Sequence, residues 1–492
     1  VRVEFIPFRR RPAFGGFGVA TLAALLLSAS VPGCATNPAT GQKQISLIGE
    51  GQEIEMGRQA DRDVQATMGL YDDPDLQAYV GRIGQGLAAK GERPGLPWTF
   101  RVVDDPTVNA FALPGGFIYV TRGILAYLNS EAELAGVLGH EIGHVTARHS
   151  VSRISQQQLA GLGLGIGMIL SPDVARYGNL LQTGLGLLFL QYTRGDESQA
   201  DDLAVRYTTR AGYDPRPLTE TFAVLDRVSQ QQGDGRVPSW LSTHPAPQNR
   251  IQNIEADIDS IGGSPAGAVV NREGYLQQID GMVFGDDPRE GFFRGSTFFH
   301  PGLAFHVDFP SGWKTLNQKQ QVLGVSPQQD AVAAVTLASQ SSAEQAARAF
   351  ASQSAVTTAG FSSGRVNGIP AVASRFEAAT QSGTLRGAVA FVDYGGRVLE
   401  LIGYAPASQW GFYDSSVQRF IQSFARETDP AILSVRPAHV ETIRLDRPTT
   451  PSQLAAGSGA SAEVLAILNH VGVDETLPAG SLVKRVTGSD HP

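Results

Sequence analysis

Apolar positions recur at helical spacing between residues 130 and 146, where Leu134, Val137, Leu138, Ile142 and Val145 line one face. Ser130 opens that stretch with Glu133 three residues on, the S-x-x-E spacing of a capping box. Similar periodicity predicts a helix beginning near Glu50 and a second over residues 76–89, carried by Leu76, Val80, Ile83 and Leu87. Residues 98–103 alternate as a strand, and 111–120 read as strand, turn and strand around Pro114-Gly115-Gly116. Further helices are expected over 194–210, over 215–228 and from about Pro247 onward. Two apolar, glycine-laced runs, 159–170 and 179–190, fall short of the roughly 20 residues a membrane span requires. They read as buried helices, or as helices touching a bilayer surface or a hydrophobic client.

After Phe298 the pattern changes. Strands over 303–309, 332–338, 369–378, 384–394 and 398–404 accompany a helix at 343–352, capped by Ser341 and Glu344, and a closing helix at 413–424. That makes an α+β sandwich of about 130 residues, a usual domain size. A tail follows as strand 440–443, helices 452–456 and 463–469, and strand 481–486. No period of about 20 to 50 residues runs through the chain, which excludes solenoids and propellers. The expected architecture is multidomain α+β. It comprises a leader (1–33), a polar tether (34–49), a mainly helical, zincin-like domain with a small edge sheet (50–275), a linker (276–297), the sandwich (298–428) and a small βααβ unit (436–488).

Charge and cysteine usage then place the chain. The formal net charge is -8, yet Arg2, Arg9, Arg10 and Arg11 against Glu4 make the first 33 residues basic. An acidic body behind a basic leader is not a nucleic-acid footprint. Cys34 is the only cysteine, so no internal disulfide forms. Arg9-Arg10-Arg11, an apolar run over 18–31 and then Val31-Pro32-Gly33-Cys34 resemble a bacterial lipoprotein signal, with Cys34 lipidated after cleavage. The alternatives are an ordinary signal peptide or a buried free thiol. Lipidation with Ala35 next, rather than Asp, predicts a periplasmic protein anchored to the outer membrane.

The chemistry sits on the first helix, in His140-Glu141-Ile142-Gly143-His144. Positions four apart share a helix face, so two imidazoles converge on one point with Glu141 beside them. H-E-x-x-H is the zinc-hydrolase arrangement, with the acid as general base; the bland alternative is two helix-surface histidines beside an acid. A catalytic zinc takes three protein ligands and leaves one position for water. Glu197, in Asp196-Glu197-Ser198-Gln199-Ala200-Asp201 on a separate helix, is the candidate third ligand. Asp201 shares its face and is placed to hydrogen-bond a ligand histidine and fix its tautomer. Taken alone, such an acidic pair is usually a solvated face.

With N-A-F-A-L-P-G-G at 109–116 upstream and S-T-H-P at 242–245 downstream, residues 45–260 resemble the membrane-associated HExxH zinc metallopeptidases. That family includes CAAX prenyl endopeptidases, mitochondrial inner-membrane stress proteases and bacterial β-barrel assembly-enhancing proteases. C-A-T-N-P from Cys34 and G-R-Q-A-D from Gly57 resemble its bacterial lipoprotein branch. The resemblance implies one Zn2+ per chain on His140, His144 and Glu197, with Glu141 as base and Asp201 in support. It implies that an extended peptide pairs along Asn109, Ala110, Phe111, Ala112, Leu113, Pro114, Gly115 and Gly116. It further implies that His244 is able to take the open metal position and hold the enzyme shut, and that Arg250 stabilises transition-state charge. Otherwise His244 is a loop histidine before a proline.

The implied function is an endopeptidase of the bacterial envelope that degrades misfolded or unassembled envelope proteins, with the outer-membrane assembly machinery as a partner. Two rivals stand beside it: a periplasmic chaperone or assembly factor with a latent protease, and a cell-wall-binding lipoprotein. The second rests on residues 440–486, whose T-P-S-Q-L-A, L-N-H and L-P-A-G-S-L-V-K resemble a lysin-motif (LysM) unit. Its Gly-Asp-Thr opening is missing, which sets a scaffold role against peptidoglycan binding. Residues 305–424 resemble the sandwich of photosystem-II-associated and Ran-binding small proteins. Prenyl-protein processing is excluded, because it needs a multi-span fold that runs this short cannot build.

Overall fold

The computed structural model describes residues 34–164, 192–232, 240, 244–245, 249–380 and 383–488. The leader, the run at 179–190 and the second half of the run at 159–170 lie outside the described residues. The described residues divide into two compact units, one of residues 34–286 together with 437–488, the other of residues 287–436. The whole is a mixed helix and sheet protein, helical around the histidine motif and sheet-rich toward the C-terminus. Among the described residues no helix is long and apolar enough to cross a membrane.

In the first unit the chain runs β1 (Cys34–Thr36), β2 (Lys43–Ile45), α1 (Glu50–Thr67), α2 (Pro74–Ala88), β3 (Thr99–Val103), β4 (Ala110–Leu113) and β5 (Phe117–Thr121). Then follow α3 (Arg122–Tyr127), α4 (Glu131–Thr146), α5 (His149–Leu164), α6 (Arg194–Arg210), α7 (Pro217–Gln232), α8 (Arg250–Ser260) and α9 (Arg272–Gln278). The sheet has the order β3-β5-β4, with β5 parallel to β3 and antiparallel to β4. The tight turn from β4 to β5 places Gly115 at φ +79° and Gly116 at φ +101°, where an L side chain is strained. Buried Glu53 of α1 fastens that turn by accepting from Gly115 N, and it also accepts from Arg93 and Arg148.

Helix α4 differs from its expectation in one important respect. All of its residues are buried, not one face, because α2, α6, α7 and β4 surround it. Ser130 caps it by accepting from Glu133 N, while the Glu133 carboxylate reaches back to Asn129 N and the Ser130 hydroxyl. Small residues set the distance to α6. A Cβ on Gly139 would stand 3.2 Å from Ala204 Cα, and one on Gly143 would stand 3.1 Å from Ala200 Cα. Alanine at either position would push α6 away, and Glu197 with it.

Two stretches expected as connectors are folded. Residues 34–49, read as a polar tether, hold the β1–β2 hairpin, with Asn37 and Ile48 buried and Leu47 N donating to Ser155 Oγ of α5. Residues 276–297, read as a linker, begin with Leu276, Ile279 and Met282 in the same core as α4. A strand at Ala438–Arg444 then pairs with Val283–Phe284 on one side and Leu482–Thr487 on the other. With helices Pro451–Leu454 and Ala462–Leu468 this gives a β-α-α-β order, and Val440, Leu465, Leu468 and Val486 join the α4 core. Its helix Ala462–Leu468 packs against α3 and α7, which local periodicity had no means of showing.

The second unit is an antiparallel sheet whose central strands are Val332–Ala338, Arg397–Pro406, Gly383–Tyr394 and Ile369–Thr380, in that order. Helix Trp410–Ser423 packs Trp410, Tyr413, Val417 and Phe420 on one side of it. Helix Ala343–Ala351 packs Ala343, Ala346, Ala347 and Phe350 on the other. Its cap is shifted by one residue from the expected pair: Ser342, not Ser341, accepts from Gln345 N. The cap goes to the residue whose φ of -148° leaves its hydroxyl over the first turn.

Candidate metal centre

His140, His144, Glu197 and His244 are all buried, and each brings one ligand atom to a point where all four lie within 4.8 Å of one another. His140 Nε2 is 3.0 Å from His144 Nε2. Glu197 reaches both, with Oε2 at 3.5 Å from the first and Oε1 at 3.5 Å from the second. His244 Nδ1 stands 3.1 Å from Glu197 Oε1 and 3.4 Å from His140 Nε2, and its Nε2 stands 3.6 Å from Glu141 Oε1. That ring is held in place by stacking on Trp240 at 4.1 Å and by its backbone N–H on Trp240 O. Trp240 N in turn donates to Val108 O, just ahead of β4.

Each ligand histidine is held from behind. His140 Nδ1 lies 2.9 Å from Asp201 Oδ1, and Arg250 Nη2 donates to the same oxygen at 2.6 Å. The Arg250 guanidinium lies 3.6 Å over the Phe222 ring, a cation–π contact that fixes it from a third direction. His144 Nδ1 instead faces His149 Nδ1 at 2.9 Å, and the Tyr192 ring stacks on His144 at 3.9 Å.

Burial and mutual charge shift every group of the cluster that shows a resolved shift. Burial pushes the Glu141 carboxyl above its ordinary range, and among the described residues neither of its oxygens has a hydrogen-bond partner. Burial also works to raise Glu197, but the charge of His244 and the hydrogen bonds of His140 and His244 overrule it and hold Glu197 as a carboxylate. Its Oε2 nonetheless lacks a hydrogen-bond partner. Burial works to lower His140, yet Asp201 and Glu197 raise it to about 9; His144, with burial dominant, lies well below the usual histidine value. Imidazole nitrogens and a buried carboxylate oxygen that accepts no hydrogen bond among the described residues converge there, a donor set that fits a transition-metal dication.

The structure therefore gathers His140, Glu141, His144, Glu197, Asp201, His244 and Arg250 into one place. Residues Asn109 to Gly116 lie on and around β4, an edge strand among the described residues, packed against α4. Asn109 Oδ1 there is buried and unpaired. Cys34 opens β1, and three residues later Asn37 Nδ2 donates to Gln199 Oε1 of α6. Sequence reading passed over His149, Tyr192 and Trp240. His149 follows His144 by five, which continued helical geometry turns away from the site. The chain breaks first: α4 ends at Thr146 and Arg148 takes φ +60°. Nothing in the local sequence around Tyr192 or Trp240 signals their stacking.

Residues 74–258 match Peptidase family M48, and the buried cluster lies within that stretch. The chain is 30% identical over 248 residues to the β-barrel assembly-enhancing protease of Escherichia coli (strain K12), covering 47% of this chain and 50% of that one. It is 31% identical over 259 residues to the protein of the same name from Yersinia pestis, covering 51% and 53%. It is 31% identical over 211 residues to mitochondrial metalloendopeptidase OMA1 of Arabidopsis thaliana, covering 43% and 41%. The chain thus spans about half the length of the curated relatives it matches. Among solved structures it is similar to cyanobacterial PsbP from Synechocystis sp. PCC 6803 at 12% identity and a TM-score of 0.24, over 27% of this chain and 94% of that one. A likeness that slight bears no inference.

Proposed function

We propose that this chain is a zinc-dependent endopeptidase that cuts misfolded or unassembled proteins of the bacterial envelope. The observation that carries the proposal is the buried meeting of His140, His144 and Glu197 beside Glu141 in the stretch that matches Peptidase family M48. The two histidines, through Nε2, and Glu197 would hold the zinc, which supplies Lewis acidity and lowers the pKa of water toward about 7. Glu141, its proton affinity raised by burial, takes a proton from the attacking water and returns it to the leaving amine. Asp201 accepts from His140 Nδ1–H, which keeps the other ring nitrogen facing the centre. Arg250 holds Asp201, and its buried Nε and Nη1, without hydrogen-bond partners among the described residues, supply donors for charge developing on the scissile carbonyl. The substrate pairs in extended form along β4 and the turn from Asn109 to Gly116.

The place of action follows from Cys34, read as a lipidated anchor in the outer membrane, and from relatives named for β-barrel assembly. Envelope proteins are then the substrates and the outer-membrane assembly machinery a partner. The β-α-α-β tail serves as a LysM-like scaffold, with peptidoglycan as a weaker candidate ligand because the Gly-Asp-Thr opening is missing. Loss of acyl label in Cys34→Ala tests the anchor, and pulldown on purified peptidoglycan tests the tail. Glu141→Gln tests the centre: the variant is expected to retain one zinc and lose casein cleavage, and cleavage at the wild-type rate would overturn the assignment.

A second reading, a protease latent at rest with chaperone or assembly duties, draws support from His244. Its ring lies where substrate water is needed, within reach of Glu197, His140 and Glu141. His244→Ala is then expected to speed casein cleavage. Suppression of client aggregation that survives chelation would favour the chaperone duty over proteolysis.

A further inference from the structure

We infer that His149, Gln199 and Asn37 form a positioning relay that fixes the tautomer of His144, so that the segment just after Cys34 is a working part of the metal centre. The inference rests on His144 being a metal ligand through Nε2. The other ligand histidine, His140, has a carboxylate behind it in Asp201. His144 has none: its Nδ1 faces His149 Nδ1 at 2.9 Å. Of two imidazole nitrogens at that distance, one donates and the other accepts. If Nε2 of His144 keeps its lone pair for the centre, the proton is on Nδ1, and His149 Nδ1 has to accept it. His149 then carries its own proton on Nε2. That atom lies 2.9 Å from Gln199 Oε1, an acceptor.

The direction of the chain is settled one step further out. Gln199 Oε1 also accepts from Asn37 Nδ2 at 3.1 Å, so a reversed amide would set an NH2 group against the Asn37 NH2. Asn37 is itself fixed, since its Oδ1 accepts from Ala39 N at 2.9 Å and the residue is buried. The hairpin that delivers it is tied to α5 by Leu47 N on Ser155 Oγ. With neutral rings, the three contacts that link Asn37, Gln199, His149 and His144 each have one donor and one acceptor in only one arrangement, and that arrangement leaves His144 Nε2 bare. The relay does by neutral groups what Asp201 does for His140 by a charge. None of its three outer members touches the reacting atoms.

The test uses the whole chain. With 15N-labelled histidine in the metal-free protein, His144 is expected as the Nδ1–H tautomer and His149 as the Nε2–H tautomer; a proton on His149 Nδ1 overturns the relay. Zinc affinity by competition with a chromogenic chelator supplies the second readout. His149→Leu is expected to bind zinc about 10- to 100-fold more weakly, the usual cost of losing support behind a ligand. His149→Asn, whose Oδ1 replaces the accepting nitrogen, is expected to stay within about threefold of wild type. Equal weakening in both variants means packing alone, and no weakening in His149→Leu means no role; either overturns the relay. Should His149→Leu fail to fold, Gln199→Met decides: it is expected to let His149 populate the Nδ1–H form, and an unchanged tautomer overturns the relay. A wild-type chain that binds no zinc would instead sink the reading of His144 as a ligand, leaving the tautomers to judge the relay.

Discussion

Helix α4 buries polar groups at both ends, and the two ends pair their charged groups to different degrees. At its start Glu133 accepts from Asn129 N and from the Ser130 hydroxyl. Close by, Lys484 Nζ donates to Ala126 O at 2.6 Å and Leu128 O at 2.8 Å, and His470 Nε2 lies 2.7 Å from Tyr127 O. Burial pushes Glu133 up to about 7 and pulls Lys484 well below its ordinary value, and each one's charge resists the other's shift. At the far end both oxygens of Glu141, one of Glu197 and two nitrogens of Arg250 have no hydrogen-bond partner among the described residues. An unpaired buried polar group costs roughly 1–3 kcal/mol, so folding alone gives no reason to keep five such atoms together. At the start of the helix Asn129 Oδ1 and His470 Nδ1 also lack partners among the described residues, but the charged groups there, Glu133 and Lys484, are hydrogen-bonded within the chain, whereas Glu141 is not.

This contrast can be broken by substitution. The largest effect is expected for Glu141→Gln, a loss of about 10²–10⁴ in casein kcat/KM. Its melting temperature should hold or rise, because a buried charge without a donor is removed. A variant that melts several degrees earlier would show that Glu141 holds the fold after all. At the other end, Lys484→Ala strands two buried carbonyls and the Glu133 charge. It should cost about 2–4 kcal/mol in urea unfolding while leaving the zinc affinity of the folded protein within twofold. Weakened zinc binding in that variant would dissolve the separation between the two ends.

Smaller effects sharpen it. Asp201→Ala removes the acceptor behind His140 and is expected to weaken zinc binding about 10- to 100-fold by chelator competition. The His470 ring lies low, at about 3, because burial disfavours its charge and Lys484 repels it. As pH falls through 6.5 the unfolded chain takes up this proton and the folded chain does not, so the contribution is present above 6.5 and is lost toward 3. Between pH 7.5 and 5 the wild type should lose on the order of 1 kcal/mol more stability than His470→Gln, read as thermal midpoints at the two values. Equal losses would mean that this ring is not held neutral by the fold.

Much of this was legible in residue order, for reasons that can be named. The metal helix, its Ser130 cap and α6 at 194–210 follow from periodicity and capping, which are local. His140 with His144 and Glu197 with Asp201 follow from the i, i+4 rule applied on two helices. What failed were inferences that needed packing. Polar residues 34–49 looked like a tether, and 276–297 like a linker, yet both are folded against helices distant in sequence. The cap of the helix Ala343–Ala351 moved by one serine, a choice made by backbone angle between adjacent residues of like chemistry.

By itself, then, the order of residues determined which side chains face one another across a helical turn, and with that which of them are candidates for the centre. Helix geometry has a fixed pitch, so no partner is needed to apply it. Tertiary structure alone decided how near α6 comes to α4, through Gly139 and Gly143, and so whether Glu197 reaches the histidines. It also decided that His149 turns back to His144 through the break at Arg148, and that Asn37 closes the support behind it. Those contacts join segments 5 to 162 residues apart, and their geometry depends on the whole core packing at once.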